Sequence, residues 1–147
     1  MILLDVNVLV YAHRKDAPNH RPLKAWLEST INGDQAYGVS DLVLDEFLRI
    51  VTHPAVFLPP SPVAEAVAFC RQVRDQGHCV HISPGPRHWD IFTELCGIRG
   101  MKGNLIPDAY FAALAIESGS EWITTDRDYS RFPELRWRHP LETRSKR

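Results

Sequence analysis

Met1-Ile-Leu-Leu-Asp5-Val-Asn7-Val-Leu-Val-Tyr11-Ala12 opens the chain, and the rest is read outward from it. Nearly every residue is apolar and many are β-branched, which suits a strand buried on both faces of a parallel sheet covered by helices. One carboxylate interrupts the run. An ionised Asp is costly inside such a strand, so Asp5 is expected at its carboxyl end, where the chain leaves the sheet. In open α/β sheets that edge is where ligands bind. Two readings of Asp5 stay open at this point: a functional acid, or a residue that only ends the strand or caps the turn after it.

At 147 residues the chain is one domain with room for a real core. Apolar content of 44% and charged content of 24% are ordinary for a globular protein. The cysteines Cys70, Cys79 and Cys96 form neither a CxxC pair nor an even set. That favours a reducing cytoplasm and buried thiols over disulfides or a zinc site. No run reaches membrane-spanning length, and the first stretch lacks the basic leader of a signal peptide. Net charge is −1 but unevenly spread. Five of the 17 basic and one of the 18 acidic side chains fall in residues 136–147, so that segment carries +4 and the rest of the chain −5. A basic tail on an acidic body suits a phosphate-bearing partner, or is a frayed, solvated end.

After the first strand, His13 to Pro18 is a polar loop. Asn19 is placed to cap a helix running to about Ile31, with Leu23, Trp26, Leu27 and Ile31 on its apolar face. Ala36 to Val39 is a short strand, and Ser40 caps a helix from Asp41 to about Thr52. Ser61-Pro62 opens a helix to Gln76, Cys79 to Ser83 is a strand, and Pro86 to about Ile98 is a helix with Trp89, Phe92, Leu95 and Cys96 inward. A glycine-bearing loop leads to a helix started by Pro107 and ended by Gly119. Trp122 to Thr125 and Leu135 to Arg138 are the last strands. Strands alternating with helices imply an α/β fold: a three-layer α/β/α sandwich around a central parallel sheet.

On the Asp41–Thr52 helix, Asp41, Asp45, Arg49 and Thr52 form the polar face, and Glu46 lies off it beside Leu42, Val43 and Ile50. A carboxylate there needs a partner, a raised pKa or a metal, and Arg49 three residues on is an available partner. Asp108 sits in the first turn of a helix whose body, Ala109 to Ile116, is apolar nearly all round. Free backbone N–H groups and the helix dipole stabilise an anion at that position, so a purely structural Asp108 is one reading. Asp126 follows the Trp122–Thr125 strand directly.

Strand ends and helix starts share one edge of such a sheet, so Asp5, Glu46, Asp108 and Asp126 are expected to converge. Clustered carboxylates repel, and a hard divalent cation with oxygen ligands relieves the repulsion. Mg²⁺ or Mn²⁺ held this way activates water and clamps a phosphoryl group. No cysteine and few histidines lie near these positions, which disfavours a zinc protease or a Cys/His nucleophile.

Four pieces together resemble a PIN-domain ribonuclease, specifically a bacterial VapC-type toxin of a toxin–antitoxin pair. They are Leu4-Asp5-Val-Asn7-Val-Leu-Val-Tyr11-Ala12, Glu46 with Arg49, Asn104-Leu-Ile-Pro-Asp108-Ala, and Thr124-Thr125-Asp126-Arg127-Asp128-Tyr129. They run in family order over nearly the whole chain. The resemblance implies a PIN-like nuclease domain over residues 1–140 with a basic tail at 141–147. It implies a Mg²⁺-dependent endoribonuclease acting on structured RNA in the cytoplasm, a homodimer, and inhibition by a small antitoxin protein. Asp5 and Asp108 would be the principal metal ligands, Asp126 would complete the site, and Glu46 would bind metal or orient the attacking water. Asn7 and Thr125 would support the acids through hydrogen bonds, with Asp128 a further supporting position. The alternatives are an RNA- or protein-binding module of the same fold without activity, and a haloacid-dehalogenase-type phosphohydrolase. The second lacks its family's paired acid, because Asn7 stands there.

Overall fold

The computed structural model describes residues 1–142. β1 is only Ile2–Leu4; the apolar run beyond Asp5 is not strand but a helix, α1 (Val6–His13). An apolar run does not by itself separate a buried strand from a buried helix. Here the Asp5 carboxylate accepts the Val6 N–H at 2.6 Å and so starts the helix. The elements that follow are α2 (His20–Asn32), β2 (Tyr37–Val39), α3 (Asp41–Val51), α4 (Val63–Arg74) and β3 (Cys79–His81). Then come α5 (His88–Cys96), α6 (Leu105–Ser118), β4 (Glu121–Ile123), a 3₁₀ turn (Arg127–Arg131) and β5 (Trp137–Arg138).

All five strands are parallel, in the order β3-β2-β1-β4-β5. From β1 the chain steps outward through β2 to β3, then returns to the other side of β1 for β4 and β5. Right-handed crossovers in opposite directions put their helices on opposite faces. Accordingly α1 packs on α2 and α3, and α3 on α4, while α5 packs on α6. This is the expected three-layer α/β/α architecture. The reversal of direction falls between β1 and β4, and a cleft opens beyond strand ends at such a point.

The core is formed by the strands and the faces turned toward them: Leu3, Val8, Leu9, Phe47, Trp122 and Ile123 are fully buried. α6 lies deep because Ala109, Ala112, Ala113 and Ala115, all buried, let its backbone approach the sheet. Gly38 does the same within β2, where a Cβ would come within 3.1 Å of Ile82 Cγ1 and 3.2 Å of Leu3 Cδ1. Gly119 ends α6 in the left-handed region at φ 67°. Ser40 caps α3 through a bond from the Leu42 N–H.

Several local expectations are corrected. Asn19 precedes α2 at φ 55° and makes no side-chain capping bond. Ser61 does not cap α4; it is buried, and its hydroxyl accepts from the Arg14 guanidinium at 3.1 Å. On α5 Leu95 is buried and Phe92 and Cys96 pack against the core as expected, but His88 (3% exposed) takes the inward place expected of Trp89, which is 66% exposed. His88, Phe92, Leu95 and Cys96 stand at i, i+4, i+7 and i+8, the spacing of one helical face, and Trp89 is not in that series. The basic C-terminal stretch is partly built into the domain. Arg136 donates to the Gly119 carbonyl at 2.6 Å and Arg138 to Glu121 at 3.2 Å. Arg144, Lys146 and Arg147 of the expected tail lie outside the described residues. All three cysteines are free, and burial pushes the Cys70 thiol up to about 11. Among the described residues no helix is long and apolar enough to cross a membrane.

Candidate active site

Asp5 stands where β1 gives way to α1, with only 4% of its surface exposed. Its Oδ1 takes the Val6 N–H, and its Oδ2 accepts both the Thr124 hydroxyl at 2.6 Å and the Asn7 amide at 3.1 Å. Asn7 is held in turn, because its Oδ1 accepts the Thr125 N–H at 3.0 Å. The Thr124 hydroxyl oxygen accepts the Asp126 N–H at 3.0 Å. The ends of β1 and β4 are therefore cross-tied by a closed set of bonds around one carboxylate. Asp5 thus caps a helix with one oxygen, while its other oxygen takes the bonds from Thr124 and Asn7.

Burial pushes Asp5 up to about 7 against the opposing pull of its bonds from Thr124 and Val6, and the nearby Asp108 and Asp126 charges push the same way as burial. Asp108, in the first turn of α6, is also held above the usual carboxylate range, by burial first and then by Asp126. Asp126 caps the 3₁₀ turn, its Oδ1 accepting the Asp128 N–H at 2.9 Å. These three acids line one open cleft of about 880 Å³, together with Asp45 and Glu46 of α3. Glu46 has a partner: Arg49 donates from Nε to Oε2 at 3.2 Å and from its terminal nitrogen to Oε1. The pair lies on the solvent side of the cleft, with the Glu46 side chain 36% exposed.

Among the described residues no group of three or more His, Cys, Asp and Glu side chains is arranged so that it could hold a metal ion by itself. The donors nonetheless fit a hard divalent ion. They are all oxygen, the neighbouring carboxylates raise the proton affinity of Asp5 and Asp108, and the cleft has room for water. Mg²⁺ characteristically keeps several waters and takes only one or two protein carboxylates. Asp5, Asp108 and Asp126 could hold such an ion; the free cysteines lie on other elements.

Residues 2–135 match the family described as PIN domain. The chain belongs to the PIN-domain family. Ribonuclease VapC25 of Mycobacterium tuberculosis is 42% identical to this PIN domain over 140 residues, covering 95% of this chain and 99% of that protein. The VapC ribonuclease Mb2897 of Mycobacterium bovis is 40% identical over 142 residues, with 97% of each chain covered. Identity at that level along nearly the whole length makes this a VapC-type PIN domain. Among solved structures, VapBC2 from Rickettsia felis, bound to a fragment of promoter DNA, matches with a TM-score of 0.64. The match covers 94% of this chain and 98% of that one; at 19% identity it speaks to the fold alone.

In this PIN domain Asp5, Glu46, Asp108 and Asp126 line the same cleft, and two further groups join them that sequence reasoning did not single out. Thr124, fully buried, supplies the hydroxyl expected of Thr125, which contributes its backbone N–H instead. Side chains two apart on an extended segment share a side, so the spacing of Thr124 and Asp126 was the available signal. Tyr129, 3% exposed, points its hydroxyl at Asp108 Oδ1 over 3.4 Å. Burial and then the charges of Asp5, Asp108 and Asp126 push its phenol far up, so it stays protonated. Asp128 remains exposed and adds a like charge that raises Asp108.

Proposed function

We propose that this VapC-type PIN domain is a divalent-metal-dependent endoribonuclease that cuts structured RNA, and the toxin of a toxin–antitoxin pair. One observation carries the reading: three carboxylates from separate elements converge on one open cleft at the switch point of the sheet, and two of them, Asp5 and Asp108, are pushed upward in pKa by burial first and then by neighbouring carboxylates. A structural acid has no reason to be placed against two others.

Asp5 and Asp108 serve as the principal metal ligands and Asp126 completes the set. When bound, Mg²⁺ or Mn²⁺ supplies Lewis-acid polarisation of a phosphoryl oxygen and a more acidic water. The chain's own residues do the rest. Thr124 and Asn7 fix the Asp5 carboxylate, Tyr129 steadies Asp108, and Glu46 orients the attacking water, with Asp128 adding negative charge at the rim. In-line attack of water on phosphorus breaks the bond to the 3′ oxygen and leaves 3′-hydroxyl and 5′-phosphate ends. A small antitoxin protein and a second copy of the chain are the expected partners, in a cytoplasmic setting. The antitoxin is supported by a structural neighbour from Klebsiella pneumoniae, which is a toxin–antitoxin complex.

The phosphohydrolase alternative is weakened by Asn7, whose amide is occupied at both ends. Brief expression in a bacterial host followed by mapping of new 5′-phosphate ends tests the proposal. Discrete new ends with wild type, absent with Asp108→Asn, support it; the same ends with both proteins refute it.

A further inference from the structure

The cleft is lined by five carboxylates, yet its substrate on the reading above is a polyanion. Arg49 is the one Lys or Arg among the described residues that line it. Its side chain is 62% exposed and grips Glu46 with a two-pronged fork, Nε on one carboxylate oxygen and a terminal nitrogen on the other. Asp45, four residues before Arg49 on α3, adds attraction without a bond of its own. A guanidinium engaged in this way is presenting the geometry that fits two non-bridging phosphate oxygens equally well. The two residues are three apart on one helix and reach solvent, where such a pair is weak and exchanges readily. A phosphodiester entering the cleft would meet no other fixed cation among the lining residues described.

Resting on the ribonuclease reading, we propose that Arg49 binds a phosphate of the RNA next to the scissile bond, and that it is handed over from Glu46 when the RNA arrives. The exchange has a second consequence. Glu46 loses its counter-charge at the moment substrate is seated, so its carboxylate is freed toward the other acids only in the complex. RNA entry and the release of Glu46 for work on water are then one event. The competing possibility is that the pair merely ties two turns of α3 together, in which case removing either partner has the same effect.

The test measures binding of the full chain, in the Asp108→Asn background to prevent cutting, to a labelled RNA hairpin containing a mapped cut site, over a range of salt. Arg49→Ala is expected to weaken binding about tenfold and to reduce the slope of log affinity against log salt by roughly one. Arg49→Lys keeps the charge and should restore the slope while binding several-fold more weakly than Arg, because the fork is lost. Glu46→Gln frees Arg49 and should bind as tightly as its parent or more so, while in the Asp108 parent cutting falls. An unchanged slope in Arg49→Ala, or equal weakening by Glu46→Gln and Arg49→Ala, overturns the exchange. A wild-type protein that cuts RNA under those circumstances leaves the ribonuclease reading standing, whereas one that cuts none removes both.

Discussion

The Thr124 hydroxyl donates to Asp5 Oδ2 across 2.6 Å, and its oxygen accepts the Asp126 N–H at 3.0 Å. One buried hydroxyl thus sets two of the three acids, from strands far apart in sequence but adjacent in the sheet.

Replacing Thr124 by Val keeps the volume and strands its partners in a buried site, which costs about 1–3 kcal/mol. Thr124→Val should therefore unfold at lower urea and cleave poorly. Thr125→Ala, which keeps the backbone N–H used by Asn7, should stay within about 0.5 kcal/mol of wild type. Urea midpoints of the two variants check this; equal losses would mean the hydroxyl of Thr124 has no special place.

Asp5 gives the metal-free protein a pH dependence with a definite sign. Its folded pKa of about 7 lies above the ordinary carboxylate value, so the folded form keeps a proton that the unfolded chain has released. Stability falls as pH rises from about 4 to about 7 and levels off above, a total on the order of 4 kcal/mol. Asp5→Asn removes this contribution. In chelator, the fall in urea midpoint between about pH 5 and about pH 8 should be clearly larger for wild type than for the variant, in which the raised Asp108 still contributes; an equal fall in the two contradicts it.

On the proposed metal-dependent reading, divalent metal should bind only the folded arrangement and offset that loss. At a hundredfold excess over its dissociation constant the gain is about 2.7 kcal/mol, or roughly 5–10 °C in melting temperature for a domain of this size. Asp108→Asn should melt no lower than wild type in chelator and gain little from Mg²⁺. A full Mg²⁺ gain in the variant removes Asp108 from the metal set.

The two leading residues of α5 should behave oppositely. His88 is buried, its Nε2 lies 3.0 Å from the Tyr110 carbonyl, and its ring packs edge-on against Tyr110. His88→Ala should cost about 2–3 kcal/mol. Trp89→Ala removes a mostly exposed ring and should cost about 0.5 kcal/mol or less. Chemical denaturation of both variants decides it.

What could be read in advance had a local cause. Asp5 was placed at a strand's carboxyl edge because a carboxylate is intolerable within a doubly covered strand, and Ser40 and Gly119 announced helix ends through cap chemistry. Alternating strand and helix patterns carried the layer architecture. The misreadings share a different cause: each depended on a tertiary neighbour. Val6–His13 is as apolar as a strand, and only the Asp5 cap and the helices packed on it make it α1. Thr124 and Thr125 are indistinguishable in composition, and the register of β4 against β1 decides which hydroxyl meets Asp5. Glu46 pairs with Arg49, the partner that spacing offered, but the pair reaches the rim rather than the apolar surroundings expected from periodicity. Ser61 had the form of a cap and is instead spent on Arg14.

The most direct measurement is cleavage of a purified RNA containing a mapped cut site, by wild type, Asp5→Asn and Asp108→Asn, each with excess Mg²⁺ and with chelator. The structure predicts cutting by wild type with Mg²⁺ only, and none by either folded variant. Mg²⁺-dependent cutting of comparable rate by either variant, or cutting by wild type in chelator, contradicts the assignment of these carboxylates as the metal-holding centre of the enzyme.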